Sequence, residues 1–298
     1  MFPKVPDQHK SGKPLVPNGL GVLYILFVVV YLFLLYFLKI DSELGDISAP
    51  LTLAVCVLFG GFMGLLDDWM DLKWRYKAFM PLIAAVPLIY FALDAQARTS
   101  ITLPFVGSVD LGVWYFCLII PLIVMIVTNT VNMLGGFNGL ESICPAIVLL
   151  GLMSISILTS PYYPLLIELM IGPIIFWLIL AALNLKGKIF VGNSGSFAIG
   201  ITIASFAIIA DVKLSLLISM VPYIFNSSLI LLTVFFTHKK ALITFKDNKL
   251  ESDHKRSLVT IITYHRPLTE RKIVAIVSII VAVFTLLAVI YSFISILL

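Results

Sequence analysis

Apolar residues fill most of this chain, in nine long runs separated by short polar stretches. A helix that crosses the hydrocarbon layer of a membrane needs about 20 mostly apolar residues. The runs cover residues 20–38, 51–66, 79–93, 112–128, 143–159, 163–182, 196–210, 214–236 and 273–298. Because backbone N–H and C=O groups cannot stay unpaired in lipid, each run is predicted to be helical. The pattern therefore predicts an all-α polytopic transmembrane bundle of about nine membrane-spanning helices.

The composition agrees with this pattern. Hydrophobic residues make up 60% of the 298 residues and charged residues only 12%, whereas soluble domains are about 25% charged. We expect one integral membrane domain over residues 1–298, with an N-terminal segment (1–19) and one long polar loop (237–272). Residues 1–19 have no apolar core of the kind found in signal peptides, so no cleavable signal is predicted. The three cysteines show neither zinc-site spacing nor a disulfide pattern.

The distribution of basic residues predicts the orientation. If the segments alternate across the membrane, 17 of the 20 lysines and arginines fall on the side of the N-terminus. Basic loops stay in the cytoplasm, so we expect a multi-pass cell-membrane protein whose N-terminus and basic loops are cytoplasmic. The net charge of +4 then reflects topology. A nucleic-acid partner is not expected, because the chain lacks a soluble basic face.

Polar residues concentrate in four of the predicted cytoplasmic loops. These loops lie within residues 67–77, 129–141, 184–196 and 238–272. The predicted spans hold a single charged residue, Glu168, which we interpret as a residue near a helix end or in a helix contact. A transporter would bury ionisable groups inside its spans. The pattern instead favours a site at the cytoplasmic membrane surface.

The first loop begins with two adjacent carboxylates, Asp67 and Asp68, and continues through several charges to Lys77. Neighbouring carboxylates repel each other unless a cation neutralises them, and Mg²⁺ with phosphate oxygens is one chemical reason to keep such a pair. The alternative is a solvated turn beside the membrane.

The second and third loops are rich in asparagine and glycine. Asn129 and Asn132 are three residues apart, so their amides share one face of a helical turn. Glycines that follow them allow close approach of the backbone to a ligand; they are Gly135, Gly136 and Gly139. The third loop, residues 186–196, is a second glycine-rich turn but a weaker signal alone.

The fourth loop carries most of the basic residues, and most of that charge is interpreted as a solvated or headgroup-facing surface. The exception is the run Tyr264-His265-Arg266-Pro267. There an imidazole and a guanidinium precede a proline, an arrangement suited to donating hydrogen bonds to phosphate or sugar oxygens.

These four motifs, in this order, resemble the polyprenyl-phosphate N-acetylhexosamine-1-phosphate transferases. Residues 65–77 and 129–141 look most like the dolichol branch, which includes archaeal and eukaryotic members. The bacterial cell-wall branch usually has an aspartate-glycine pair where Gly135 and Gly136 stand here. Residues 10–20 also look like a loop of this family, in which a further helix normally precedes that loop.

The resemblance implies a role for each matching residue. Asp67 and Asp68 would be catalytic, one of them accepting a proton from the lipid phosphate, and His265 and Arg266 would contact the pyrophosphate and the sugar. Mg²⁺ would be held by Asn132 and Asn193. The residues implied in substrate binding are Lys77 at a phosphate, Asn138 at uridine, and Asn129, Gly135, Gly136 and Glu141 around them.

Two positions in these motifs depart from the family pattern. The family usually has aspartate where Asn193 stands, and an asparagine offers a carbonyl oxygen without the charge. Tyr264 stands where dolichol-type proteins carry an arginine. Reduced activity or altered donor choice is therefore one expectation.

The function we expect is transfer of N-acetylglucosamine-1-phosphate from UDP-GlcNAc to a polyprenyl, dolichol-type phosphate, with release of UMP and Mg²⁺ as cofactor. This reaction starts lipid-linked oligosaccharide synthesis for N-glycosylation. One alternative is a phospho-N-acetylmuramoyl-pentapeptide-type transferase for a cell-wall polymer, and another is a non-catalytic or transport protein on the same scaffold. The expected partners are a UDP-N-acetylhexosamine and the lipid phosphate; a homodimer is compatible with the sequence.

Overall fold

Helices dominate the structure, a computed structural model that describes residues 2–38, 46–103, 107–237 and 243–297. The helices are α1 (Gly21–Phe37), α2 (Ala49–Met70), α3 (Trp74–Phe79), α4 (Pro81–Asp94), α5 (Ile120–Met133), α6 (Leu140–Thr159), α7 (Tyr163–Leu185), α8 (Gly192–Ile209), α9 (Lys213–Ser219), α10 (Val221–Thr237), α11 (Leu258–Ile262) and α12 (Glu270–Leu297). A π-helical turn, Tyr115–Ile119, leads into α5. The predicted all-α polytopic bundle is confirmed.

Each of the nine predicted apolar runs overlaps a helix, but the count of nine spans is approximate. In the described part of the chain, seven helical segments are long and apolar enough to cross a membrane, and α9 with α10 forms an eighth that is bent by 57°. Pro222 stands at the bend and has no N–H to donate to a continuous helix. The remaining run is α1, an apolar helix of 17 residues.

Among the described residues, three short antiparallel β-hairpins lie outside the helices, and the hydrophobic pattern gave no sign of them. They pair β1 (Lys4–Pro6) with β2 (Leu15–Pro17), β3 (Ser100–Leu103) with β4 (Gly107–Asp110), and β5 (Thr244–Lys246) with β6 (Lys249–Glu251). Residues 39–45, 104–106 and 238–242, which all fall between the predicted apolar runs, lie outside the described residues.

Several of the motif residues predicted on loops lie instead at helix ends. Helix α2 continues to Met70 and ends where Asp71 takes a left-handed backbone conformation, φ 46°, so the aspartate pair belongs to its last turns. Asn129 and Asn132 lie in the last turns of α5, and Asn193 lies in the first turn of α8. Hydropathy misses these boundaries because it stops at the first polar residue, whereas the backbone hydrogen bonds continue past it.

Helix α8 is the centre of the bundle and is almost wholly buried. It packs against α2, where Gly64 faces its first turn: a Cβ atom on Gly64 would lie 2.3 Å from the carbonyl oxygen of Asn193. Gly60 also faces α8, at Ile201, whereas Gly61 faces Ile25 on α1. Small residues at this spacing are typical of one close helix contact, whereas here the glycines at 60, 61 and 64 are divided between two neighbouring helices.

Glu168 lies on an exposed face of α7, in the second turn of that helix, and its carbonyl oxygen accepts a hydrogen bond from the Tyr31 hydroxyl group. The carboxylate therefore does not line the interior of the bundle. This placement agrees with the interpretation of Glu168 as a residue near a helix end.

We expect Gly64→Ala to lower the free energy of unfolding by about 1–3 kcal/mol, the usual cost of overpacking. The new methyl group would meet the backbone of α8, which cannot move aside. Gly60→Ala is the matched control, because its methyl group would meet the flexible end of the Ile201 side chain, 2.4 Å away. SDS titration in mixed micelles measures both, and equal losses would contradict this packing.

Candidate functional site

Asp68, which lies on the neighbouring helix α2, caps the N-terminus of α8. Its carboxylate accepts hydrogen bonds from the backbone N–H groups of Asn193, at 2.8 Å, and Ser194, at 2.9 Å. The first N–H groups of a helix have no partner within the helix, and the helix dipole favours a negative charge there. Asp68 is only half-buried. The structure thus holds a reachable carboxylate at a fixed position.

Glycine at position 192 makes this approach possible. Gly192 has φ +73°, and a Cβ atom there would lie 2.8 Å from the Asp68 Oδ2 and 2.9 Å from the Gly19 Cα. The segment around Gly19 is itself tied to the third loop, because Phe190 N–H donates to the Pro17 carbonyl and Gly21 N–H donates to the Val191 carbonyl. The N-terminal segment, α2 and α8 therefore meet at Asp68.

Asp67 points to a different neighbour. Its side chain is buried and its Oδ1 lies 2.6 Å from the Lys77 Nζ on α3. The same oxygen accepts from the Leu72 N–H group, whereas Oδ2 is buried with no hydrogen-bond partner among the described residues. Lys77 also lies 3.6 Å from the fully exposed Asp71. The two aspartates of the motif therefore make separate contacts: Asp67 pairs with a lysine, and Asp68 accepts hydrogen bonds from α8.

The side chains of the two asparagines of the second loop contact different helices, although we expected their amides to share one face. The Asn129 amide group donates to the carbonyl oxygens of Ala78, at 3.0 Å, and Met125, at 2.8 Å, which ties the end of α3 to α5. The Asn132 Oδ1 lies 2.8 Å from the Ser196 hydroxyl oxygen on α8. Asn129 thus secures the helix that carries Lys77, and Asn132 faces the first turn of α8.

Glu141 joins the second and third loops. Its Oε1 accepts from the Asn184 side-chain amide, at 3.1 Å, and from the Val191 N–H group, at 3.3 Å. The Asn184 Oδ1 in turn accepts from the Gly139 N–H group at 2.8 Å. Gly139 has φ +96°, a left-handed backbone conformation that favours glycine. Asn184, which the sequence marked only as a loop boundary, is the buried link between the two loops.

Asn138 lies in a second polar cluster, with the N-terminal hairpin and α12. Its backbone N–H donates to the Glu270 carboxylate at 2.9 Å, and its side-chain amide donates to Asp7 at 2.8 Å and to Glu270 at 3.0 Å. Lys10 pairs with Asp7 at 3.0 Å. Sequence reasoning missed Asp7 and Glu270, since no local pattern marks them.

Two groups of this cluster have shifted pKa values. Burial opposes ionisation of Asp7, but hydrogen bonds from Lys10, Asn138 and the His9 N–H outweigh it and hold the pKa below its ordinary value. Burial lowers the pKa of the His9 imidazole, against the opposing charges of Glu270 and Asp7. At neutral pH the cluster therefore contains an ionised Asp7 and a neutral His9.

His265 and Arg266 are exposed on a turn between α11 and α12. His265 has φ 48°, and its N–H group donates to the Ser252 carbonyl at 3.0 Å. The Arg266 side chain makes no hydrogen bond or ion pair with another described residue. Among the described residues these two side chains do not contact the aspartates, so the structure does not join this motif to the Asp68 site.

A cavity of about 330 Å³ lies beside the glycine turn. Its walls include Gly135, Gly136 and Phe137 from the second loop, His9 from the N-terminal segment and Asn226 from α10. The Asn226 side chain accepts from the Leu258 N–H group and donates to the Met133 carbonyl, which holds α11 beside the end of α5. The volume lies in the range of small-molecule sites.

The chain is similar in sequence to known transferases. The family model for glycosyl transferase family 4 matches residues 49–211. A Saccharolobus solfataricus protein with the provisional name UDP-N-acetylglucosamine–dolichyl-phosphate N-acetylglucosaminephosphotransferase is 31% identical over 230 residues, which are 77% of this chain and 69% of that protein. A Sulfolobus acidocaldarius protein of the same name is 28% identical over 73% of this chain, and the chain spans 66% of that relative's length. A Streptococcus uberis phospho-N-acetylmuramoyl-pentapeptide-transferase is 29% identical over a stretch that covers 78% of this chain and 71% of that protein.

We expect Lys77→Met to lower the free energy of unfolding by about 3 kcal/mol, because it leaves the buried Asp67 carboxylate without its cation. Asp71→Asn is the control: Asp71 is fully exposed, and asparagine tolerates its left-handed backbone conformation. The control should change stability by less than about 0.5 kcal/mol. SDS titration of the purified variants measures both values, and a stable Lys77→Met protein would show that this ion pair is dispensable.

Proposed function

Because the chain belongs to glycosyl transferase family 4, we propose that it transfers N-acetylglucosamine-1-phosphate from UDP-GlcNAc to a dolichol-type polyprenyl phosphate. The observation that carries the proposal is the end of α2, where Asp68 accepts hydrogen bonds from the first turn of α8 and the adjacent Asp67 pairs with Lys77 on α3. The names of the two archaeal relatives support the donor and the acceptor.

The reaction joins two negatively charged partners. An oxygen of the lipid phosphate attacks the β-phosphorus of UDP-GlcNAc, and the bond from that phosphorus to the bridging oxygen breaks. UMP leaves with that oxygen, and a lipid pyrophosphoryl-GlcNAc forms. Catalysis of such a transfer requires cations and hydrogen-bond donors around the phosphoryl group.

We assign the two aspartates different roles in this reaction. The half-buried Asp68 is the carboxylate that a substrate can reach, so it is the group to accept the proton of the attacking lipid phosphate. The buried Asp67 is a positioning residue that fixes Lys77, and Lys77 supplies a positive charge to a phosphate. Asn129 supports the same lysine through its bond to the end of α3.

Oxygen ligands suitable for Mg²⁺ lie at the first turn of α8. The Ser196 hydroxyl oxygen lies within hydrogen-bond distance of both the Asn132 Oδ1 and the Asn193 carbonyl oxygen, and Asp68 contacts the same turn. Carboxylate and amide oxygens suit this hard cation. Asn132 and Asn193 would hold the ion, which would supply positive charge to the donor diphosphate.

His265 and Arg266 would contact the pyrophosphate and the sugar. The turn that carries them is held by backbone bonds to Ser252 and Thr263, and the guanidinium is not committed to another described residue. Asn138, Gly135, Gly136 and Glu141 would surround the uridine part of the donor. Together with the basic loops, these assignments support an active site on the cytoplasmic face.

A muramic-acid-type donor is the second candidate. The Streptococcus uberis relative supports the same chemistry with that donor, but the archaeal relatives favour GlcNAc. Competition between the two UDP-sugars for UMP release distinguishes them. A transport function has weaker support, because Glu168 lies on the exposed surface of α7 rather than within the bundle.

We expect Asp68→Asn and Arg266→Ala each to lower kcat/KM for UMP release by at least ~100-fold, the scale for loss of one charged contact to a transferring phosphoryl group. Glu168→Gln is the control and should retain wild-type activity. If Glu168→Gln is as inactive as Asp68→Asn while both variants fold, the proposed site is wrong.

Asn193→Asp should lower the Mg²⁺ concentration for half-maximal activity by about tenfold, because it adds a negative charge beside the ion. Titration of UMP release with Mg²⁺ measures the shift. An unchanged requirement in an active variant would exclude Asn193 as a ligand and leave Asp68 as the better one.

The orientation has a direct test on β5. A cysteine at Lys246 should react with an impermeant thiol reagent only after the cells are opened, because 17 of the 20 basic residues predict that this side is cytoplasmic. Labelling from outside intact cells would reverse the topology and move the proposed active site to the other face.

A further inference from the structure

Two carboxylates fix the side chain of Asn138 in one orientation. Both Asp7 and Glu270 accept hydrogen bonds from its side-chain nitrogen, at 2.8 and 3.0 Å, and Glu270 also accepts from its backbone N–H at 2.9 Å. Asn138 and Asp7 are buried. If the amide group turned over, its oxygen would face two carboxylates with no proton between them, and these buried acceptors would lose their hydrogen bonds. The nitrogen of Asn138 therefore points to the carboxylates and the oxygen points away from them.

The oxygen held in this way is an unused acceptor. Asn138 Oδ1 is buried and has no hydrogen-bond partner among the described residues. A buried polar atom without a partner is costly and calls for an explanation. The oxygen lies against Gly187: a Cβ atom on that glycine would be 3.3 Å from Asn138 Oδ1 and 1.8 Å from the Lys10 Nζ. The end of a flexible, half-buried lysine therefore borders the acceptor, and such a side chain can move aside for a ligand.

An aromatic pair lies beside Asn138, which is not itself one of the residues that line the cavity. Phe137, the preceding residue, stacks with His9 at 4.5 Å between ring centroids and an interplanar angle of 9°. Both rings line the 330 Å³ cavity beside the glycine turn. Aromatic surface next to a fixed hydrogen-bonding group is suited to a nucleobase, which offers a ring face and a polar edge.

The same residues do not suit a metal ion. Ligand atoms of Asp7, His9 and Glu270 lie within 4.8 Å of one another. The Lys10 ammonium group, however, already pairs with Asp7 at 3.0 Å, and Asn138 presents hydrogen-bond donors to both carboxylates. The cluster is therefore built around the amide nitrogen of Asn138.

We propose that Asp7 and Glu270 are positioning residues that select the nucleobase of the donor by holding the Asn138 oxygen as a hydrogen-bond acceptor. This inference rests on the proposed function, which supplies a uridine nucleotide. Uracil carries an imide N–H at N3, which donates to such an oxygen. Cytosine has a lone pair at N3, which the same oxygen repels. Selection between the two bases then depends on the carboxylates that prevent the amide from turning.

The test uses the purified protein and measures the transfer of label from UDP-[¹⁴C]GlcNAc to the lipid, a reaction that forms UMP. UMP and CMP are compared as inhibitors of this transfer. The wild type should bind UMP more tightly than CMP by at least about tenfold, the scale of one misplaced buried hydrogen bond. Asp7→Asn and Glu270→Gln should each reduce this preference at least fivefold (~1 kcal/mol). Their amide groups can present either an oxygen or a nitrogen, so Asn138 can turn.

The variants should keep kcat at saturating UDP-GlcNAc within about twofold, because neither carboxylate touches the reacting phosphates. Asp253→Asn is the matched control: it removes an exposed carboxylate, 90% accessible, and should leave the preference for UMP unchanged. Two separate variants guard against failure of one to fold, and thermal unfolding of each confirms the folded state.

An unchanged preference for UMP in folded variants would overturn the proposal. So would an equal loss of UMP and CMP binding, which would mean that the carboxylates only join the N-terminal hairpin to α12. A wild-type protein that forms UMP but binds both nucleotides equally would overturn this inference alone. A wild type that forms no UMP would overturn the proposed function as well.

Discussion

The hydrogen bonds from the first turn of α8 to Asp68 are the constraint on which the rest of the site depends. A buried helix has N-terminal N–H groups that need partners, and here a carboxylate on another helix supplies them. The partner can reach them only because Gly64 and Gly192 have no side chains in the contact. The packing of α2 on α8 and the position of the acidic group are therefore one feature of the fold.

This constraint explains why several motifs that are distant in sequence meet at one place. The N-terminal segment is bonded to residues 190 and 191, Asn132 contacts Ser196, and Glu141 accepts from Val191. Each contact attaches another motif to the start of α8. Tight helix packing positions these groups more rigidly than loops could, and a phosphoryl transfer requires such preorganised charge.

The sequence predicts the helices well, because membrane-spanning segments must be apolar along their length and internally hydrogen-bonded. It also locates Asp67, Asp68, Asn132 and Asn138 as candidates, since polar side chains are rare next to such runs. It cannot say where each of them points. Asp67 and Asp68 are neighbours about 100° apart around a helix, so one meets α3 and the other meets α8. Asp7 lies 131 positions from Asn138, and no local pattern reveals that pairing.

The central claim is that this chain transfers a sugar together with a phosphate, rather than a sugar alone. Identification of the nucleotide product tests this most directly. Purified protein, supplied with UDP-GlcNAc, dolichyl phosphate and Mg²⁺, should form UMP and lipid pyrophosphoryl-GlcNAc in equal amounts, measured by chromatography and mass spectrometry. Release of UDP, or formation of UMP without the lipid product, would contradict the account.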